Sequence, residues 1–271
     1  MIQRRLPIKQ RIITALVLLP LLLLFIYYAG PAWFCGFVTL VAATALYEFY
    51  GMSLAGERKV EKSLAVLFGA LLVPAASFGP APALQGMLAF GVLFFGLIFL
   101  WRFLALTEVL CQLALVFFGF CYISLLLAHL VMLHGLPFGR EWVFLVLLIV
   151  MASDSAAYFS GIALGRHKLY PAISPNKSIE GAIGGLLGGL VGAFVARWWF
   201  FSSLGLLDCL LLGLILGCVG QTGDLFESMI KRAFQVKDSG TIVPGHGGIL
   251  DRLDSLLFTF PLAYYYGLLR F

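Results

Sequence analysis

Long blocks of almost uninterrupted apolar residues, each near the length that crosses a bilayer, constrain this chain more than any other feature. Inside a bilayer every backbone N–H and C=O must find its partner within the protein, which leaves helices and closed barrels as the only spanning structures. The blocks are continuous rather than alternating, so they predict helices. Nine are expected, near 12–29, 31–50, 63–79, 82–101, 109–134, 142–164, 181–201, 205–222 and 253–270. Composition agrees: 62% of the residues are hydrophobic, 11% are charged and the mean hydropathy is +1.02, whereas a soluble domain carries about 25% charged residues. The expected fold class is therefore all-α, a polytopic integral membrane protein. The first block is followed by no small-residue cleavage site and reads as a retained helix.

The basic residues suggest an orientation. With the N-terminus placed in the cytoplasm, only Arg140, Arg197 and Arg270 of the 18 lysines and arginines fall on the far side, as the positive-inside bias requires. The net charge of +5 has that bias as its explanation and calls for no nucleic acid. Two long polar loops, about 165–180 and 223–252, then face the cytoplasm. The expected organisation is N-terminal membrane helices over 1–140 and C-terminal helices over 141–271, the latter carrying the two loops that form the site. The five cysteines, Cys35, Cys111, Cys121, Cys209 and Cys218, lie in apolar stretches without CxxC spacing and are expected to be buried thiols. Glycines repeat every four residues at Gly181, Gly185 and Gly189, at Gly184, Gly188 and Gly192, and at Gly213 and Gly217. Small residues at that spacing let helices approach closely in lipid.

The chemistry-bearing residues gather near the C-terminus. On a helix, Asp224, Glu227, Ser228 and Lys231 share one face, with Arg232 beside them. Such a face is either a solvated amphipathic surface with internal ion pairs or a place for a cation beside an anion. Asp224 follows closely on a long apolar run, where an acid is costly unless it is paired, metal-bound or facing water. Next comes KDSGTIVPGHGGILDRLDS, residues 237–255. Its glycines can turn the chain and present backbone N–H groups that, with Lys237 and His246, suit phosphate oxygens. Asp251 and Asp254 project from one face of the helix that follows. Asp224, Asp251 and Asp254 together suit a hard cation such as Mg²⁺, which takes oxygen ligands and bridges to substrate phosphates. Asp238 is open between loop capping and function, and Glu48 is expected to be structural. The 165–181 loop adds Arg166, Lys168, Lys177 and Ser178, and Asp154 is an acid inside a span. Carboxylates, bases and glycines at a bilayer surface describe metal-assisted phosphoryl or nucleotidyl transfer involving a lipid; spacing alone does not name the nucleotide.

The stretch from Ser228 to Asp254 resembles the signature of the phosphatidate cytidylyltransferases, also called CDP-diacylglycerol synthases. It matches at Ser228, Lys231, Arg232, Lys237, Asp238, His246, Gly247, Gly248, Asp251, Arg252 and Asp254. The upstream DSAAYFSGIALGRHKLYPAISPNKSIEG is similar to a second family block, with Asn176, Ser178, Ile179 and Val243 departing from the commoner residues. The resemblance implies transfer of the cytidylyl group of CTP to phosphatidate, releasing pyrophosphate. It also implies Mg²⁺ and leaves room for a second cation such as K⁺. The expected catalytic residues are Asp224, Lys231, Arg232, Lys237, His246, Asp251 and Asp254, of which Asp224, Asp251 and Asp254 hold the metal. Ser228, Gly247, Gly248, Arg252, Asp154, Arg166, Lys168, Lys177 and Ser178 are expected to bind substrate. CTP, phosphatidate and membrane lipids are the expected partners, with room for a homodimer, at a bacterial inner membrane with the site facing the cytoplasm. A CTP-dependent lipid kinase and a membrane transporter are the alternatives. A CDP-alcohol phosphotransferase is disfavoured because its D-x-x-D-G-x-x-A-R motif is absent.

Overall fold

The computed structural model describes residues 20–54, 56–102, 105–242 and 247–270. Helix α1 covers residues 20–28. It is followed by α2 (Pro31–Ser53), α3 (Lys59–Phe78), α4 (Ala81–Trp101) and α5 (Leu106–Gly119). A π-helical segment (Phe120–Leu125) joins α5 to α6 (Leu126–His134). Then come α7 (Gly139–Leu164), strands β1 (Lys168–Tyr170) and β2 (Ser174–Ser178), α8 (Ile179–Trp199), α9 (Leu206–Ala233) and α10 (Leu250–Arg270). Each expected span that lies within the described residues has its helix. Among those residues, seven helices are long and apolar enough to cross a membrane, which makes this an integral membrane protein.

Three expectations change. The polar region after the eighth span is not a loop from 223: α9 continues to Ala233, so Asp224 and Lys231 lie within the helix. The 165–180 segment, expected as a polar loop, carries a short antiparallel hairpin in which β1 and β2 pair. The cysteines are not uniformly buried: Cys35 and Cys209 are, whereas Cys111, Cys121 and Cys218 are exposed on their helices.

The chain divides into two compact units, Met1–Val131 with Asp238–Asp251, and Met132–Lys237 with Arg252–Phe271. In the first, α2 packs on α3. Pro31 opens α2, where its fixed φ and missing N–H are no cost. Gly69 of α3 lies so close to Leu46 and Phe120 that a Cβ would come within 2.6 Å of the leucine. The Tyr50 hydroxyl donates to the Val116 carbonyl at 2.7 Å, just ahead of the π-helical segment. At the start of α3, Arg58 is buried and donates to Gln112 (2.8 Å), Glu61 (2.9 Å) and the Arg102 carbonyl (2.6 Å), with its guanidinium 4.5 Å from the Phe99 ring centre.

The second unit is built on the glycine ladders. Gly184, Gly188 and Gly192 of α8 face α7: a Cβ on Gly188 would lie 2.6 Å from the Ala152 carbonyl oxygen, and one on Gly192 would lie 3.1 Å from Ile149 Cα. Gly189 turns to α9, where its Cβ would meet the Gly213 carbonyl at 2.8 Å. Lipid supplies no hydrophobic drive between helices, so backbone proximity of this kind is what binds them. Gly223 repeats the device between α9 and α10, with the Asp254 carbonyl 2.5 Å from a would-be Cβ. The ladders thus hold α7, α8, α9 and α10 at the short range that a site built from all of them requires.

Candidate functional site

Three helices and the hairpin of the second unit bring together residues far apart in sequence. Asp154 comes from α7, Lys177 and Ser178 from β2, Asp224 and Lys231 from α9, and Asp254 from α10. Asp154, Lys177, Ser178 and Asp224 line a cavity of about 700 Å³ that also meets apolar Ile162 and Leu169. Lys177 Nζ lies 2.7 Å from Asp224 Oδ2, an ion pair by distance that is not aligned as a hydrogen bond. Asp254 lies near enough to feel the charge of Asp224 and Asp154, and Asp154 that of Asp224. Three acids near one another on membrane helices repel, so the lysines matter. Lys177 neutralises Asp224, and Lys231 forms a buried ion pair with Glu227 one turn along α9. The Ser228 hydroxyl reaches Asp224 Oδ1 at 3.5 Å, and Asp254 accepts the Ser255 N–H at 2.6 Å.

The hairpin is pinned at its base. Glu180 accepts from the Arg166 and His167 amides at 3.1 and 3.2 Å, and its carboxylate lies 2.6 Å from His167 Nδ1. Ser178 is buried, and its hydroxyl caps α8 by accepting the Gly181 N–H at 3.1 Å. Removing such a cap costs about 1 kcal/mol, so Ser178→Ala should lower the unfolding midpoint modestly while the protein still folds, as thermal unfolding in detergent would show. Arg166 and Lys168 are exposed. Arg232, also exposed, donates to the Val236 carbonyl at 3.1 Å. Lys237 and Arg252 are exposed as well.

Asp251, Gly247 and Gly248 belong to the first unit, in the returning segment Asp238–Asp251. Asp251 accepts the Ser239 N–H (3.0 Å) and the Gly248 N–H (2.8 Å), closing the polar loop on itself at the start of α10. Gly247 has φ +82°, a left-handed conformation that only glycine adopts without strain, and Asp251 Oδ2 would stand 2.7 Å from a Cβ there. His246, with Val243, lies outside the described residues.

Two residues were not foreseen. Gln221 Nε2 donates to the Ala182 carbonyl (3.1 Å) and to Ser153 Oγ (3.4 Å), tying α9 to α8 and α7 on the cavity wall. A polar amide three residues before Asp224 in an apolar run was the available signal. Ser239, inside the loop signature, donates to Glu48 at 3.1 Å.

Asp154, Asp224 and Asp254 offer only carboxylate oxygens, the kind of donor that hard divalent cations take. Among the described residues, no group of three or more His, Cys, Asp or Glu side chains lies close enough to hold a metal ion, and Lys177 holds Asp224 by charge.

An all-helical membrane protein that sets acids against lysines beside a cavity, and carries a glycine loop closed by an aspartate, has the parts of an enzyme handling phosphates at a lipid surface. The comparisons narrow this. The family described as "Cytidylyltransferase family" matches residues 9–269. A Bacillus subtilis phosphatidate cytidylyltransferase is 34% identical over 268 residues, 95% of this chain and 96% of the relative. A Staphylococcus epidermidis protein of the same description is 35% identical over 259 residues, 94% and 96% of the two chains. One from Staphylococcus haemolyticus is 46% identical over 124 residues, 46% of this chain and 48% of that one. The chain belongs to the cytidylyltransferase family.

Proposed function

We propose that this protein transfers the cytidylyl group of CTP to phosphatidate, giving CDP-diacylglycerol and pyrophosphate, with its site facing the cytoplasm at a bacterial inner membrane. The observation that carries the reading is the cavity wall of the second unit, where Asp154 and Asp224 meet Lys177 beside apolar residues. Relatives named for this activity match along nearly their whole length.

In the reaction a phosphate oxygen of phosphatidate forms a bond to the α-phosphorus of CTP. The bond from that phosphorus to the α,β-bridging oxygen breaks in line, and pyrophosphate leaves. Phosphatidate is already ionised at neutral pH, so the protein need not supply a strong base. Its work is to position two polyanions and offset their charge. Asp224 and Asp254, with Asp251, are the proposed holders of Mg²⁺, which when bound would draw charge from the phosphate oxygens. Lys231, Arg232, Lys237 and His246, with the Gly247 amide, hold the triphosphate, beside a Gly248 whose own amide is taken by Asp251. Lys177, released from Asp224, is placed to meet a phosphate, with Arg166, Lys168 and Arg252 further out.

CTP labelled separately at the α- and γ-phosphates tests this with purified protein in phosphatidate micelles. The α label should enter the lipid and the γ label should leave as pyrophosphate. Gamma label in the lipid would make the protein a lipid kinase, and no transfer of either would return the transporter reading. Orientation has its own check. With nine spans and a cytoplasmic N-terminus, a C-terminal tag should report the non-cytoplasmic side, and a cytoplasmic signal would overturn that topology.

A further inference from the structure

Glu48 stands in the last turns of α2, roughly 190 residues before the polar loop in sequence, yet its carboxylate is the loop's anchor within the first unit. It is 4% exposed. Its Oε1 accepts the Ile249 N–H at 3.0 Å, and its Oε2 accepts the Leu250 N–H at 2.9 Å and the Ser239 hydroxyl at 3.1 Å. Gly240 and Gly248 press so closely that a Cβ on either would collide with the same carboxylate. Two of these donors are main-chain amides at the start of α10, groups that have no partner within the helix and that favour negative charge. Asp251 closes the same knot from inside by accepting from Ser239 and Gly248. Glu48 and Asp251 thereby each tie Ser239 to the Gly248–Leu250 stretch, one acid coming from α2 and the other from the first turn of α10.

We infer that Glu48 is a positioning residue for CTP: by anchoring Ser239, Ile249 and Leu250 it sets the Gly247–Gly248 backbone in the conformation that receives the triphosphate. This rests on the proposed reading of the loop as the nucleotide's holder. Its role is distinct from support of the fold at large, because among the described residues its hydrogen-bond donors all lie in this one segment.

The test is Glu48→Gln in the full chain, with Ser239→Ala as a milder second variant that leaves Glu48 in place. Glu48→Gln replaces one acceptor oxygen by an NH₂ that faces donors. Hydrogen bonds to a buried charge are worth about 1.5–3 kcal/mol, so KM for CTP should rise about tenfold or more. KM for phosphatidate and kcat should stay within about twofold. Ser239→Ala should move KM for CTP in the same direction by a smaller factor. Hydrogen exchange at Ser239, Ile249 and Leu250 should quicken in Glu48→Gln. A general loss of fold would instead lower the active fraction and leave KM where it was. Unchanged exchange at those amides, with unchanged KM for CTP in both variants, would overturn the role of Glu48 while leaving the proposed site standing. Faster exchange with an unchanged KM for CTP would show instead that the loop does not hold the nucleotide, and the proposed site would fall with the inference.

Discussion

Asp224→Asn should lower turnover by about 10²–10³-fold, the usual cost of removing one group that acts on charge in the transition state, while the protein remains folded. The two halves of that expectation have separate grounds. Asp224 lies at the centre of the polar wall, paired with Lys177 at 2.7 Å, touched by Ser228 and within the electrostatic reach of Asp154 and Asp254. The neutral amide keeps its shape and loses its charge, so the arrangement of bases and acids that the phosphates must enter is unbalanced. Stability changes little. The Lys177 pair is about a third exposed at the aspartate, and pairs of that kind contribute about 1 kcal/mol or less. Removing one of three mutually repelling acids offsets part of even that. Kinetics with saturating CTP and Mg²⁺, alongside an unfolding curve, would check both halves. Turnover within tenfold of the parent would remove Asp224 from the proposed machinery, and so would a collapse of the fold that accounts for the whole loss.

Gly188→Ala and Gly217→Ala should part in sign. Alanine is favoured over glycine inside a helix by about 1 kcal/mol, and both glycines are helical. At Gly188 the new Cβ would meet the Ala152 carbonyl at 2.6 Å, and main chain cannot swing aside as a side chain does. Forcing α7 and α8 apart costs about 1–3 kcal/mol, more than the propensity returns. At Gly217 the nearest atoms, on Leu186, lie at 3.7 Å, an ordinary contact, so the propensity gain should survive. Thermal unfolding in one detergent would separate them, with Gly188→Ala melting lower than the parent and Gly217→Ala level or higher. Equal midpoints would mean that the ladder does not set the spacing of α7 and α8.

The helices were legible because the bilayer imposes one rule on every span, an apolar block of sufficient length. The end of α9 was less so. Hydropathy falls at Gln221, which invites a loop, yet Asp224, Glu227, Ser228 and Lys231 already carried the 3.6-residue period that continues to Ala233. The hairpin escaped notice because its strands are three and five residues long and polar, without the alternation that marks a half-buried strand. At the site, the acids and lysines stood out as charges in oil, and the structure gathers Asp154, Lys177, Asp224 and Asp254 in one unit. Glu48 could not be assigned in the same way. A residue's partner some 190 positions away leaves no local pattern, and nothing near Glu48 announces which amides it will accept. The π-helical turn at Phe120–Leu125 is equally silent, since its sequence is as apolar as the α-helices that flank it.

Helix α9 has 28 residues, which at 1.5 Å each is about 42 Å, longer than the roughly 30 Å hydrocarbon core. Counting from Leu206, Asp224 stands about 27 Å along the axis; if Leu206 marks the far edge of the hydrocarbon core, that is the depth where acyl chains give way to glycerol and phosphate, with Lys231 about two turns further out. A phosphate ester at the bilayer surface would therefore meet the acids at its own level and need not be hauled into water. The reactant is then a two-dimensional solute, gathered by lateral diffusion, and the velocity should follow its mole fraction in the membrane. Dilution of the suspension at fixed lipid composition should leave the rate per enzyme unchanged.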